Sequence, residues 1–137
     1  MLSLLYVSHS CLPAGQEEAH LREILDIAAR RNLSQGITGA LVHTGSDFAQ
    51  VLEGPEAAVA QVMASILIDP RHDRVSIIRR DEVATRSFPN WGMALIGHIP
   101  ATQEQIACIW TAADEAAQEQ ATEGLVQWMR QGASAQV

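Results

Sequence analysis

Cysteine is scarce in this sequence: Cys11 and Cys108 are the two in 137 residues, and they lie far apart. They form neither a CxxC pair nor a metal-binding spacing, so neither a disulfide framework nor a metal site is expected. No apolar run approaches the roughly 20 residues of a membrane-spanning helix, and the short apolar start lacks the basic residues of a secretory signal. The sequence therefore favours a cytoplasmic protein with reduced thiols and no membrane partner.

Positive charge is also sparse, with 9 Lys and Arg against 16 Asp and Glu and a formal net charge of -7. Such a chain repels phosphate backbones, so nucleic acid is not an expected partner. The sequence has no P-loop, GxGxxG motif or nucleophile elbow, and nothing places a carboxylate or an oxyanion hole near Ser8-His9-Ser10. An apolar fraction of 47% in a chain of this length nevertheless suits one globular domain.

Hydrophobic periodicity predicts a regular series of strands and helices. The predicted segments are a strand at 3–8, a helix at 17–31, strands at 36–43 and 48–53, a helix at 55–67, strands at 75–84 and 91–96, and a helical part from about residue 102 that is either one helix or two. Asn32 is expected to close the first helix, because asparagine tolerates left-handed geometry.

The order βαββαββ predicts an α+β, ferredoxin-like mixed sheet. Its two early helices are expected on one face, and the amphipathic C-terminal helix or helices cover the opposite face. We expect the first and third strands to be adjacent, parallel and central, with the last strand on the other side of the first.

Polar residues occur on strands that should be buried. Side chains alternate along a strand, so Tyr6 and Gln50 can both face the early helices from neighbouring strands. An unpaired buried amide costs about 1–3 kcal/mol, and a bound heterocycle with carbonyls and ring nitrogens would supply the missing partners. Alternatively, Tyr6 is an ordinary core residue and Gln50 points to water. Spacing alone leaves both readings open.

Two further groups also have an ordinary structural explanation. Asp69, Arg71 and His72 end the second helix and can form a solvated charged corner, and no third ligand stands near His72 for a metal. Trp91 and Met93 share one face of the last strand, where a core role is the default.

These residues lie within blocks whose order and spacing are specific. The blocks are Tyr6-Val7-Ser8, Asn32 followed by Gly36-Ile37-Thr38-Gly39, Phe48-Ala49-Gln50-Val51-Leu52-Glu53-Gly54, Asp69-Pro70-Arg71-His72, and Arg86-Ser87-Phe88-Pro89-Asn90-Trp91-Gly92-Met93. In this pattern the chain resembles the BLUF family, the sensors of blue light using FAD, from Leu4 to about Leu95.

The resemblance implies a blue-light photoreceptor that is not an enzyme and that holds FAD between its two early helices, with FMN and riboflavin as alternatives. Tyr6 then corresponds to the tyrosine that gives an electron and a proton to the excited flavin, and Gln50 to the glutamine between them. Asn32 corresponds to the asparagine that pairs with the flavin ring. Trp91 and Met93 correspond to the pair that exchanges position near the glutamine, and which of them points inward in the dark stays open. The residues expected to bind the flavin are Tyr6, Ile24, Asn32, Phe48, Gln50, Ile66, Asp69, Arg71 and His72.

Two positions depart from the family pattern. Arg31 replaces the first residue of an Asn-Asn pair, and Ser65 stands where a basic residue often occurs, so the contacts along the flavin or its phosphates are expected to differ.

The expected domain organisation is a flavin-binding photosensor over residues 1–100 and a C-terminal helical cap or output segment over 101–137. The cap either forms an interface or simply covers the sheet. Signalling is expected through a separate protein effector or a change of oligomer, and the chain is expected to form a homo-oligomer. The rival hypotheses are a light-insensitive ligand-binding module with the same pocket and a small hydrolase of the same fold.

Overall fold

The computed structural model describes residues 1–90, 92–96 and 100–134. The elements formed there are β1 (Leu2–Ser10), α1 (Glu17–Ser34), β2 (Thr38–His43), β3 (Asp47–Gly54), α2 (Glu56–Leu67), β4 (His72–Glu82), β5 (Ala94–Ile96), α3 (Pro100–Thr111) and α4 (Glu115–Ser134). The predicted order βαββαββ is confirmed. The C-terminal part is two helices, and the Asp114 carboxylate caps the start of α4 by accepting the N–H of Ala117 at 2.8 Å.

The strands form one sheet in the order β4-β1-β3-β2-β5. β1 and β3 are adjacent and central, as predicted, and their register places Tyr6 opposite Gln50. On the other side of β3, Leu41 lies opposite Gln50. β2 and β5 are parallel while the remaining pairs are antiparallel, so the sheet is mixed.

Two details of the predicted sheet are wrong. β1 and β3 run antiparallel rather than parallel, and β5 lies beside β2 rather than beside β1. The connection through α1 makes β2 parallel to β1 with a gap of one strand, and the tight β2–β3 turn places β3 in that gap in the opposite direction. β4 then occupies the other side of β1, so the edge left for β5 is that of β2.

The two faces of the sheet each bury an apolar core, because side chains alternate along every strand. On one face, α1 and α2 pack over Leu4, Leu41 and Leu52. On the other face, α3 and α4 pack over Leu5 and Val51. The predicted placement of the early helices on one face and the C-terminal helices on the other is therefore confirmed.

The first helix ends later than predicted. It continues to Ser34, so Asn32 lies within its last turn and is completely buried. The carbonyl of Asn32 accepts the N–H groups of Gln35 and Ile37, and Gly36 between them has a φ of +73°. Glycine adopts this left-handed conformation without a steric penalty from a Cβ, which is why the helix ends there and not at Asn32.

Other boundaries also shift. β4 begins at His72 rather than Val75, so His72 belongs to a strand and pairs with Ser10. Trp91 lies outside the described residues.

Cys11 and Cys108 are free and exposed. None of the helices in the described part of the chain combines the length and the apolarity needed to span a bilayer.

Candidate functional site

A cleft opens between α1, α2 and the face of the sheet that they cover. It encloses about 610 Å³ of empty space, part of which is open to solvent. All but one of the residues predicted to bind the flavin line it, namely Tyr6, Ile24, Phe48, Gln50, Ile66, Asp69, Arg71 and His72. The exception, Asn32, is not among the lining residues.

One stripe of α1 forms a wall of the cleft. Ile24, Ile27, Ala28 and Arg31 lie at helical spacing and face the same way. Ile27 and Ala28 were not predicted as site residues, although the same spacing from Ile24 contained the signal. Leu41 was also missed, and its position opposite Gln50 in the β2–β3 hairpin could have identified it.

At the base of the cleft a phenol, an amide and a thioether form one hydrogen-bonded chain. The Tyr6 hydroxyl donates to Gln50 Oε1 at 2.6 Å, and Gln50 Nε2 donates to the sulfur of Met93 at 3.4 Å. All three side chains are buried. The strand register explains the first bond, because directly opposite residues in an antiparallel pair present their side chains to each other.

The Tyr6 phenol is neutral in this environment. Burial raises its pKa far above the ordinary value, and the negative charge of Asp69 raises it further. Tyr6 therefore retains its proton, which it shares with the Gln50 carbonyl in a short hydrogen bond.

His72, at the start of β4, lines the cleft and is hydrogen-bonded to residues of α2 and β1. Its Nε2 lies 2.7 Å from the carbonyl oxygen of Ile66, and its Nδ1 lies 2.9 Å from the Ser8 hydroxyl. Because a carbonyl can only accept, Nε2 carries a hydrogen, and the Ser8 hydroxyl provides the hydrogen-bond partner of Nδ1. The ring stands edge-on to Tyr6 and to Phe48, with centroid distances of 5.9 Å. This arrangement fixes the ring at the cleft wall.

Asp69 and Arg71 form an ion pair at the border of the cleft. The Arg71 Nη2 lies 2.6 Å from Asp69 Oδ2, and Arg71 also donates its backbone N–H to Oδ1 at 2.9 Å. These hydrogen bonds hold the pKa of the Asp69 carboxyl below its ordinary value. The charged corner predicted from the sequence is therefore present, and it lines the cleft as well.

The loop before β5 packs closely against α1. The Asn32 Nδ2 donates to the Gly92 carbonyl at 2.9 Å, and a Cβ at Gly92 would lie 2.8 Å from the Ala29 carbonyl oxygen. Glycine is therefore required at position 92 for this approach, which brings the chain to Met93. Trp91 falls outside the described residues, so its predicted contact is untested.

Two neighbouring residues of α1 each bury a polar atom without a hydrogen-bond partner, the acceptor Asn32 Oδ1 and the donor Arg31 Nε, and Arg31 is the one of the two that lines the cleft. Buried polar groups are normally paired, so this unmatched acceptor and donor indicate a ligand that carries both N–H and carbonyl groups. A flavin ring has such groups on a flat apolar frame, and the residues present therefore fit a flavin. Among the described residues, no cluster of His, Cys, Asp or Glu suits a metal ion.

Comparison with known proteins shows which family the chain resembles. Residues 1–94 match the family model described as BLUF, sensors of blue-light using FAD. The chain is 36% identical over 95 residues to the blue light- and temperature-regulated antirepressor BluF of Escherichia coli strain K12, and 34% identical over 108 residues to the photoactivated adenylate cyclase subunit beta of Euglena gracilis. The solved dark-state structure of BlrB, a BLUF protein, superposes with a TM-score of 0.74 at 28% identity, covering 99% of this chain and 96% of that one.

The extent of these matches differs. The aligned region takes up 69% of this chain but 23% of the antirepressor, and 78% of this chain but 12% of the cyclase subunit. The chain thus spans a small part of these curated relatives.

Proposed function

The chain belongs to the BLUF family, the sensors of blue light using FAD, and from this premise we propose that Tyr6 and Gln50 form its light-driven hydrogen-bond switch. The observation that supports this most directly is the 2.6 Å bond from the Tyr6 hydroxyl to Gln50 Oε1 at the base of the cleft. The matched region, residues 1–94, is a photoreceptor domain and not an enzyme.

The family binds flavin, and we propose FAD as the form bound here, with FMN and riboflavin as the alternatives to test. Tyr6, Ile24, Phe48, Gln50 and Ile66 would hold the ring, while Asp69, Arg71 and His72 would border it. Asn32 would pair its unmatched Oδ1 with a ring N–H. When bound, the flavin supplies the absorption of blue light and an excited acceptor for one electron and one proton.

Tyr6 suits the role of donor because a phenol is easily oxidised and its O–H proton already lies on a hydrogen bond. Gln50 suits the role of switch because its amide donates at one end and accepts at the other. Turning the amide over would bring Nε2 to the Tyr6 oxygen and Oε1 to the side of Met93. The phenol would then have to accept instead of donate, so the two arrangements have different hydrogen-bond networks.

Met93 would carry the change towards the edge of the sheet. Its sulfur accepts from Gln50, and it immediately precedes β5, which is parallel to β2. A thioether is a weak acceptor on a flexible side chain, so Met93 can repack at low cost when the amide turns. We propose that this movement reaches a downstream protein effector. The homo-oligomer and the cytoplasmic location remain predictions.

The decisive experiment records the absorption spectrum of the purified protein before, during and after blue illumination. We expect a flavin spectrum that shifts to the red and recovers in the dark. Tyr6 is the one tyrosine in the chain, so Tyr6→Phe removes the phenol with the ring kept, and we expect flavin binding without the shift.

Trp110→Phe is the matched control, since it removes an oxidisable aromatic that packs with the core on the opposite face of the sheet. We expect this variant to keep the shift. A shift retained in Tyr6→Phe would contradict the assigned donor. A yellow wild-type protein that never shifts would instead support the light-insensitive ligand-binding module.

A further inference from the structure

The second helix is apolar on nearly every side, which is unusual for a helix at a protein surface. Glu56 is the single charged residue among its twelve, and one face of the helix is buried against the sheet. The face turned to solvent is apolar as well: Ala60 and Ala64 are exposed, and Leu67 keeps 58% of its accessible surface. A helix that is apolar all round is normally buried, so the outer face of α2 is expected to be covered by another molecule.

The exposed stripe of α2 lies beside the outermost strand of the sheet. It begins at Glu56, which accepts from the Arg80 guanidinium of β4 at 2.9 Å, so the stripe is turned towards β4. On that strand Ile77 is 49% exposed, and it points to the same side of the sheet as α2 because its register partner is Tyr6. These exposed side chains form the α2–β4 face, namely Ala60, Ala64, Leu67 and Ile77.

The strand under this face ends the sheet. β4 has eleven residues, and in the described part of the chain no strand pairs with its outer edge. Charged side chains often keep other molecules away from such an edge. Here Arg79 and Arg80 form ion pairs with Glu123 and Glu56 of the same chain, at 2.6 and 2.9 Å. Their charges are therefore largely neutralised within the chain and protect the edge poorly.

The distribution of charge favours a second copy of the chain as the covering molecule. From α2 to the end of β4, residues 56–82 contain four Arg against five Asp and Glu, whereas the cap over 100–134 contains one Arg against five Asp and Glu. Two copies with a net charge of -7 repel each other, and the repulsion is weakest where each surface is nearly balanced. A twofold contact uses the same surface on both copies, so an apolar and balanced face is complementary to itself.

We propose that the α2–β4 face is the surface through which two copies of this chain form a twofold symmetric dimer. The alanines on α2 allow the backbone of a facing helix to approach closely, and Leu67 and Ile77 supply the larger apolar contacts. The dimer contact then lies beside the cleft, and the acidic cap stays outside it. The proposal does not depend on the chemistry of Tyr6 and Gln50.

Sedimentation equilibrium of the full-length protein, as purified and in the dark, measures the dissociation constant of the dimer. Ala64→Glu places an unpaired charge in the face, and the symmetry places it there twice, so we expect the Kd to rise at least about 100-fold. Ala116→Glu is the matched control, because Ala116 is also an exposed helical alanine and the substitution adds the same charge to the cap. We expect Ala116→Glu to dimerise like the wild type.

Two further measurements test the apolar character of the contact. Leu67→Gln removes apolar surface without adding charge and should raise the Kd by about 10-fold. Raising the ionic strength from about 0.05 to about 0.5 M should lower the Kd of the wild type, because salt screens the repulsion between two acidic copies and leaves apolar contacts in place.

The variants are expected to fold, because the substituted side chains are exposed and both glutamate and glutamine are good helix formers. Circular dichroism checks this, and Leu67→Gln carries the test if Ala64→Glu does not fold. A wild-type protein that stays monomeric at every concentration tested would overturn the proposal. So would a dimer that salt dissociates, or one that Ala116→Glu weakens and Ala64→Glu does not. A monomer that still shifts its spectrum in blue light would refute the dimer alone, whereas a dimer that binds no flavin would refute the proposed function alone.

Discussion

At the scale of single residues, the site depends on polar groups buried in an apolar layer. Tyr6 and Gln50 satisfy each other by one short hydrogen bond, and the weak sulfur acceptor of Met93 receives the amide donor. A network in which one partner is weak has low resistance to rearrangement, whereas a fully matched network would hold one arrangement firmly. A two-state switch requires such a difference in hydrogen-bond strength between the two ends of the Gln50 amide.

The ion pair at the cleft border leads to a prediction about pH. Because the pKa of Asp69 is lowered in the folded protein, the pair stabilises the fold above the unfolded pKa of about 3.9. That stabilisation is lost as the pH falls through the folded pKa. We expect Asp69→Asn to lower the free energy of unfolding by about 1 kcal/mol at pH 7, with the difference vanishing in strong acid.

Urea unfolding of wild type and Asp69→Asn between pH 7 and pH 2 measures this difference. Asp26→Asn is the control, because Asp26 is exposed on α1 and forms no ion pair with any described residue. A difference for Asp69→Asn that persists at pH 2 would show that the pair is not its cause.

How far the sequence predicts the site depends on the residue. Alternation along strands was enough to predict that Tyr6 and Gln50 can share one face. The resemblance to the family implied the roles of these two residues. The burial of Asn32 was not predictable from propensity, because it results from the packing of the Gly92 loop against α1 rather than from local sequence. Long-range contacts of this kind have no signal in either segment alone.

At the scale of elements, the loop that leads to Met93 is fixed by two side chains. Glu53 at the end of β3 is completely buried, and its Oε1 accepts the N–H groups of Ser87 at 2.7 Å and Phe88 at 2.9 Å. Arg86 donates to the carbonyls of Glu53 and Gly36 at 2.9 and 2.6 Å. The loop is thus tied to the ends of β2 and β3, three residues from Gln50.

Removing the Glu53 acceptor should free this loop. Glu53→Leu keeps an apolar side chain of similar size but leaves two backbone N–H groups unpaired, so we expect a loss of about 2–4 kcal/mol in unfolding free energy. Glu53→Gln keeps the carbonyl acceptor and should lose less. Amide hydrogen exchange at Ser87 and Phe88 should accelerate in Glu53→Leu and stay slow in Glu53→Gln. Equal exchange in the two variants would refute this role for the carboxylate.

The sequence predicted the existence and order of the elements better than their pairing. Each strand and helix was identified by its own hydrophobic period, which is local information. The direction of β3 relative to β1 and the position of β5 depend on how consecutive connections combine, and there the prediction was wrong. The end of α1 was displaced because Gly36, and not Asn32, takes the left-handed conformation.

At the scale of the whole molecule, a single sheet separates the cleft from the C-terminal helices. Tyr6 and Gln50 face the cleft, while their chain neighbours Leu5 and Val51 face α3 and α4. The Trp110 indole on α3 also donates to the Asp47 carboxylate at the start of β3, at 3.1 Å. Each central strand therefore contributes to both cores, and we expect the sensor region and the cap to unfold as one unit.

A substitution on the inner face of α4 tests whether the sensor region and the cap unfold as one unit. Met129 is completely buried against the sheet, and truncating such a side chain costs about 2–5 kcal/mol. Met129→Ala should therefore lower the midpoint of thermal unfolding, and it should do so equally when unfolding is followed by circular dichroism and by release of flavin fluorescence. The equality is expected because the cleft and the cap share β1 and β3, so neither core can be lost alone.

Gln127→Ala is the matched control, two residues earlier on the exposed side of α4, and should leave both midpoints unchanged. If Met129→Ala lowers the midpoint seen by circular dichroism while flavin is released at the wild-type temperature, the cap unfolds independently of the sensor. Coincident midpoints would mean that the sensor region and the cap unfold as one unit because they share the packing of the central strands.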